Sequence, residues 1–258
     1  MELKRVVVTG LGALTPLGND PETFWKNLVR GVSGAAEITR FDSSKFKTRF
    51  ACEVKGFNVL DYIHRREARR MDLFTQFAVV SSQQALKDAG LIAIGFEGEG
   101  EEGNVDPDRA GVIWGCGIGG FQRFMDEAKN FHDGDGTPKF SPFFIPMMIP
   151  DIAAGQISIR NGFRGPNYAT VSACASSTHA LIDSFNLIRL GKADVIVSGG
   201  SEAAVTEGAI GGFNALKALS TRNEDPKKAS RPFDKTRDGF VLGEGAGAII
   251  LESLEHAE

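Results

Sequence analysis

The sequence is poor in residues that mark several common chemistries. It has only 3 cysteines, Cys52, Cys116 and Cys174, and no C-x-x-C pair. That excludes a zinc ribbon and a thioredoxin-type redox motif, and a sparse, odd count suits a reducing compartment. The 4 histidines, His64, His132, His179 and His256, are scattered. No His, Cys or carboxylate set has ligand spacing, so no metal is expected. No apolar run reaches the ~18 residues of a membrane span. Val6-Val7-Val8, close to the first residue, is too short for a signal-peptide core. A cytoplasmic protein is expected. The basic excess of a general nucleic-acid binder is missing too: Lys+Arg 29 against Asp+Glu 33 gives a formal net charge of −4.

What is present is globular. Hydrophobic residues make up 42% and charged residues 24%, enough to bury a sizeable core. Phe (19) far outnumbers Tyr (2) and Trp (2), which fits aromatic lining with little need for hydroxyls. Glycine is in excess, 31 residues, or about 12% against a usual ~7%. The glycines cluster among apolar residues without a low-complexity repeat. They read as tight turns and close backbone approaches.

Strands and helices alternate along the chain. Val6-Val7-Val8-Thr9-Gly10 reads as a buried strand. Asp20-Pro21 opens a helix that Gly31 can end. Residues 65–89 read as one long helix, stopped by Gly90. Residues 95–108, glycine-rich and acidic, read as a solvated loop. Strands are expected at 110–114, 168–174, 194–198 and 246–252, and helices at 121–131, 149–159 and 175–190. This pattern predicts one α/β domain with a largely parallel or mixed central sheet.

Two glycine-rich segments imitate a dinucleotide site. Gly115-Cys116-Gly117-Ile118-Gly119-Gly120 fits G-x-G-x-x-G and follows a strand, with Asp135 twenty positions on. In a true site that acid ends the second strand of a βαβ unit. Here it lies in the turn sequence His132-Asp133-Gly134-Asp135-Gly136. Gly10-Leu11-Gly12 lacks the third glycine. Both are read as close backbone packing.

A third segment carries more chemistry. Thr170-Val171-Ser172-Ala173-Cys174-Ala175-Ser176-Ser177 runs from a strand straight into a helix. Small residues on both sides of Cys174 allow a sharp turn and leave room for a substrate. A thiol at a helix N-terminus faces free N–H groups and the positive end of the helix dipole, which favours thiolate. The same N–H groups suit an oxyanion formed on attack at a thioester. On the residues alone a second reading stays open, a small buried cysteine in a tight turn. His179 lies five residues on. At ~100° per residue it is expected to point away from the thiol and to be structural.

The Cys174 segment resembles the nucleophile segment of the β-ketoacyl-acyl carrier protein synthases, the type II condensing enzymes of bacterial fatty-acid synthesis. Other segments agree: Val7-Val8-Thr9-Gly10-Leu11-Gly12, Gly117-Ile118-Gly119-Gly120, Ser141-Pro142-Phe143-Phe144-Ile145-Pro146, Arg164-Gly165-Pro166 and Ser198-Gly199-Gly200-Ser201-Glu202-Ala203. So do residues 231–247, from Arg231-Pro232-Phe233-Asp234 to Gly243-Glu244-Gly245-Ala246-Gly247. Thiolases and initiating synthases lack this closing segment.

The resemblance implies a thiolase-like half with a mixed, mostly parallel sheet between helices, half of a five-layered αβαβα enzyme. Residues 1–258 would form its N-terminal domain. It implies that Cys174 accepts an acyl chain as a thioester and condenses it with malonyl-acyl carrier protein. Ile118 would line the acyl pocket, and Phe144 would reach the pocket wall of a partner subunit in a homodimer. Arg66, Arg69 and Arg70, with Lys139, would receive the acidic acyl carrier protein. No cofactor is implied.

The family's second half carries two histidines for decarboxylation, a lysine, and a glycine/phenylalanine loop that supplies the second oxyanion N–H. None of those motifs occurs in this sequence. The expectation is therefore a chain that needs a C-terminal half and is inactive in condensation by itself. The alternative is a non-catalytic half-synthase module, a scaffold with a carrier-docking surface.

Overall fold

Strands that are apolar on both faces need cover on both sides, and the alternation along each strand shows how this chain supplies it. The computed structural model describes residues 3–93 and 103–258. In chain order these form β1 (Val6–Leu14), α1 (Pro21–Val29), the short pair β2 (Ala36–Glu37) and β3 (Phe50–Ala51), α2 (Arg65–Ala68), α3 (Leu73–Asp88) and β4 (Ala110–Gly115). Then follow α4 (Phe121–Asp133), α5 (Phe144–Met148), α6 (Ile152–Asn161), β5 (Asn167–Thr170) and α7 (Ser176–Arg189). The last elements are β6 (Val195–Glu202), α8 (Glu207–Ala215), β7 (Gly245–Ser253) and α9 (Leu254–Ala257).

The main sheet has the order β1-β7-β6-β4-β5. β4 pairs in parallel with β5 and β6, whereas β7 is antiparallel to both its neighbours. Four strands therefore run one way and one runs against them. This is the mixed, mostly parallel sheet that the resemblance implies. On one face Val112, Trp114, Val195, Val197 and Ile250 pack with Phe74, Phe77 and Ile157 of α3 and α6. On the other, Ile113, Ile196 and Leu251 pack with Ala180 and Ile188 of α7. The period of two along each strand separates these cores. A third cluster, around Ile38, Ile210, Leu219 and Leu242, lies against α8.

The first helix is as expected: the Asp20 carboxylate accepts the Thr23 N–H at 2.7 Å and caps α1. Residues 65–89 are not one helix. The helix breaks between Ala68 and Leu73, where Asp72 is extended and its side chain accepts the Phe74 N–H as a new cap. Gln76 Nε2 donates to the carbonyls of Ala68 and Met71, each at 3.1 Å. These side-chain bonds take over the backbone partners that a continuous helix would use. The strand expected at 168–174 stops at Thr170, and the strand expected at 194–198 extends to Glu202. Helices α5 and α8 were not expected.

Of the acidic run at 95–108, residues 95–102 lie outside the described residues. The rest is pinned rather than purely solvated. Asn104 bonds the backbone of Ile92 and Gly90, and Val105 is buried.

Candidate active site

The chain leaves β5 at Thr170 and turns sharply before α7. Ala173, Cys174 and Ala175 form a single 3-10 turn, not the first turn of an α-helix. Ala173 has φ 51°, a left-handed conformation that a Cβ disfavours. Ser176 holds it there. Its Oγ donates to the Ala173 carbonyl at 2.7 Å and accepts the Ser172 N–H at 2.8 Å. Thr170 Oγ1 donates to the Ser176 carbonyl at 2.7 Å. The turn exposes Cys174 at the head of α7, while Cys52 is half-buried and Cys116 buried. Among the described residues, the Cys174 N–H donates to no other group.

Close backbone approach seats this turn on the sheet. A Cβ at Gly115 would lie 2.3 Å from Ser177 N, and one at Gly200 would lie 2.7 Å from Ser177 Cβ. Only glycine on β4 and β6 lets the start of α7 come this near.

The G-x-G-x-x-G segment follows β4 and borders the same turn. A Cβ on Gly117 would lie 3.5 Å from the Ala173 carbonyl oxygen. The segment's backbone amides converge on a single carboxylate, Glu202 at the end of β6. Glu202 Oε2 accepts from Gly117 N at 2.8 Å and Ile118 N at 2.9 Å, and Oε1 accepts from Gly119 N at 3.1 Å. The Cys116 thiol donates to Oε1 at 3.7 Å. Burial pushes the Glu202 carboxyl up and the three N–H groups pull it down, with burial prevailing. Burial and the neighbouring Glu202 charge push the Cys116 thiol far up. The loop is an anion cradle, as its glycines allow, but a side chain of the protein fills it.

Ile118 projects from this loop and is 39% exposed. Beyond it, Gly120 N donates to the Met148 carbonyl at 2.9 Å and joins the loop to α5. Phe144, the first residue of α5, is half-buried. It stacks on Phe124 and Phe140, with ring centroids 6.4 and 5.8 Å away. The Gly120–Met148 bond thus links the loop that carries Ile118 to α5, which begins at Phe144. Arg66 lies on α2, and Arg69 and Arg70 on the turn after it; all three are exposed. Arg70 covers the Phe143 ring at 4.9 Å, which ties the basic turn to the start of α5. Lys139 is exposed in the loop before α5. Glu67, the acid among these arginines, is paired with Arg160 of α6.

No histidine is engaged with Cys174 among the described residues. His179 is exposed and its Nδ1 meets Ser172 Oγ at 2.8 Å, two residues before Cys174. Because Cys174 lies in the 3-10 turn and α7 begins at Ser176, the helical-wheel angle does not fix where the ring points relative to the thiol. His64 accepts the Arg66 N–H, His132 lies in the last turn of α4, and His256 meets Glu252. Sequence reasoning missed Ser176 and Glu202. A signal for Glu202 was available: three consecutive amides in a glycine loop need an anion, and no nucleotide motif completes this one.

The model of the β-ketoacyl synthase N-terminal domain matches residues 3–257. The chain belongs to the β-ketoacyl synthase family. It is 48% identical over 255 residues to 3-oxoacyl-[acyl-carrier-protein] synthase 2 of Staphylococcus aureus strain N315, covering 99% of this chain and 59% of that protein. It is also 48% identical over 257 residues to the Synechocystis sp. synthase of the same name, covering 100% and 59%. The chain therefore spans about three-fifths of the length of these relatives. Among solved structures, a β-ketoacyl synthase from Burkholderia phymatum superposes with a TM-score of 0.84 at 31% identity, covering 99% of this chain and 60% of that one. The ishigamide ketosynthase/chain length factor gives 0.86 at 30%, with the same coverage. Residues 3–257 thus carry the N-terminal domain of the β-ketoacyl synthase family, with the thiolase-like fold.

Proposed function

We propose that the chain is the acyl-accepting part of a 3-oxoacyl-acyl carrier protein synthase, with Cys174 as nucleophile. The Cys174 sulfur attacks the carbonyl of an acyl-carrier thioester. The tetrahedral oxyanion collapses and expels the carrier's thiolate, leaving the acyl group on Cys174. A malonyl-carrier thioester then loses CO2, and the resulting carbanion attacks the Cys174 thioester. That releases 3-ketoacyl carrier and restores the thiol.

The single observation that carries this reading is the exposed Cys174 on its strained turn, with its own N–H unengaged and aimed at no protein acceptor. An N–H left free at the attacking atom suits a developing oxyanion. Ile118, one loop away, serves as acyl-pocket lining, and Phe144 reaches a partner subunit in a homodimer. Arg66, Arg69, Arg70 and Lys139 offer the acyl carrier protein a local positive surface on a chain of net charge −4. The decarboxylation step is assigned to groups outside this chain, because His64, His179 and His256 are bonded to other groups and His132 lies exposed at the end of α4. Residues 1–258 form one domain in this reading, completed by a C-terminal half.

The test is incubation with acyl-carrier protein followed by intact-mass and peptide mass spectrometry. The expected result is an acyl-mass increment on the Cys174 peptide, absent in Cys174→Ala. A chain that binds the carrier yet is never acylated is the non-catalytic module instead.

A further inference from the structure

The glycine loop after β4 looks built for a phosphate, yet its three amides are already spent on Glu202. Two neighbours make that filling consequential. On one side Gly117 faces Ala173, the strained residue that aims Cys174, with room between them for a methyl group at van der Waals contact. On the other, Ile118 leaves the loop between two amides that both end on the same carboxylate.

We propose that Glu202 is a positioning residue for acyl transfer: its carboxylate is the built-in anion of the 117–119 cradle, and it fixes Ile118 and the Ala173–Cys174 turn relative to one another. The proposal rests on the reading of Cys174 as acyl acceptor and Ile118 as pocket lining. A carboxylate suits the task because all three groups facing it, plus the Cys116 thiol, are donors. It accepts from each of them. An amide of the same shape does not: a Gln side chain at 202 keeps one acceptor oxygen but turns an NH2 group toward a backbone N–H. One end of the loop must then move. Because Gly117 faces Ala173 across about a methyl's width and Gly120 is bonded to Met148, that movement reaches the pocket wall and the turn of the nucleophile together.

The experiment uses the natural protein purified whole, in wild-type, Glu202→Gln and Asp194→Asn forms. Asp194 lies at the far end of β6, in an ion pair with Arg109 and Lys4, and provides a destabilised control remote from the site. The rate of Cys174 alkylation is measured with iodoacetamide and with N-octyl-iodoacetamide, beside the melting temperature of each form. The wild type is expected to favour the octyl reagent. Glu202→Gln is expected to lower the octyl-to-parent rate ratio by on the order of tenfold, as displacement of a positioned group does. Asp194→Asn is expected to leave the ratio unchanged whatever its melting temperature. An unchanged ratio in Glu202→Gln overturns the proposal while leaving the acyl-acceptor reading intact. A wild type with no preference for the octyl reagent overturns both.

Hydrogen–deuterium exchange on the wild type needs no variant to fold. Protected amides at 117, 118 and 119 support the filled cradle, and exchange as fast as in open loops overturns it.

Discussion

Ala173 pays a local penalty so that Cys174 can face outward. A left-handed alanine costs ~1–2 kcal/mol, and the two hydrogen bonds of the Ser176 hydroxyl offset it. Reactivity of the three cysteines follows from their surroundings. Cys174 is exposed, whereas burial raises the thiols of Cys52 and Cys116, and Glu202 raises Cys116 further. Limited iodoacetamide treatment of the folded protein, read by peptide mapping, is therefore expected to label Cys174 first. Faster labelling of Cys52 or Cys116 sinks the nucleophile assignment. Asp194 gives a pH-dependent prediction. Its carboxylate accepts from Arg109 Nε at 2.8 Å, Arg109 Nη2 at 2.9 Å and Lys4 at 3.2 Å, and the Arg109 bonds above all hold its pKa down to about 2. A carboxylate depressed in the folded state stabilises the fold above its unfolded pKa of 3.8, and that contribution fades as pH falls toward about 2. Asp194→Asn is expected to lower stability at pH 7 by about 1–2 kcal/mol, allowing for solvent screening of a partly exposed pair. In denaturant titrations the gap from wild type should close below about pH 3; a gap that is constant from pH 7 to 2 contradicts this account.

The break between α2 and α3 separates the basic segment from the long helix and leaves Arg66, Arg69 and Arg70 exposed. Reversing all three to Glu is expected to weaken carrier-protein binding and to flatten its salt dependence. Charge steering acts mainly on association and is screened by salt. Surface plasmon resonance at low and high salt measures it, and unchanged affinity at low salt removes this segment as the docking surface. The break itself was hidden in the sequence. Met71, Phe74, Ala78 and Ala85 keep a helical period across it, and only the side-chain bonds of Asp72 and Gln76 interrupt the backbone. Helix α8 was hidden differently: Gly208, Gly211 and Gly212 depress its propensity, and packing against Ile38 and Leu242 overrides that. Pro146 masked α5 in the same way. The strands β4 and β7 were plain because their apolar runs are uninterrupted. The position of Cys174 at a strand–helix junction was legible too, whereas the left-handed turn, the Ser176 clamp and the Glu202 cradle depend on contacts between residues distant in the chain.

At the scale of the molecule, α7 buries a narrow face, the small residues Ser176, Ala180 and Ser184 with Ile188, on the sheet. Its outer face leaves Ile182 50% and Phe185 41% exposed, apolar surface of the kind that a partner surface covers. Residues 1–258 alone are expected to give no 3-ketoacyl product from acyl- and malonyl-carrier proteins. Losing CO2 builds charge on a thioester oxygen, and each preorganised donor missing there costs ~3–4 kcal/mol, or ~10²–10³-fold in rate. The assay compares this chain with and without a separately expressed second half; robust turnover without it contradicts the assignment of roles. The strand order carries one more consequence, for birth of the protein rather than its chemistry. Of the five strands in this sheet β7 is the latest in the chain, yet it lies between β1 and β6, with Val6 paired to Ser253. At ~5–20 residues per second the ribosome needs on the order of ten seconds to a minute to reach that strand. Throughout that interval β1 has no neighbour in the sheet and β6 has one bare edge, so the nascent chain must wait, open to chaperones and to pairing with its siblings, for β7 to emerge.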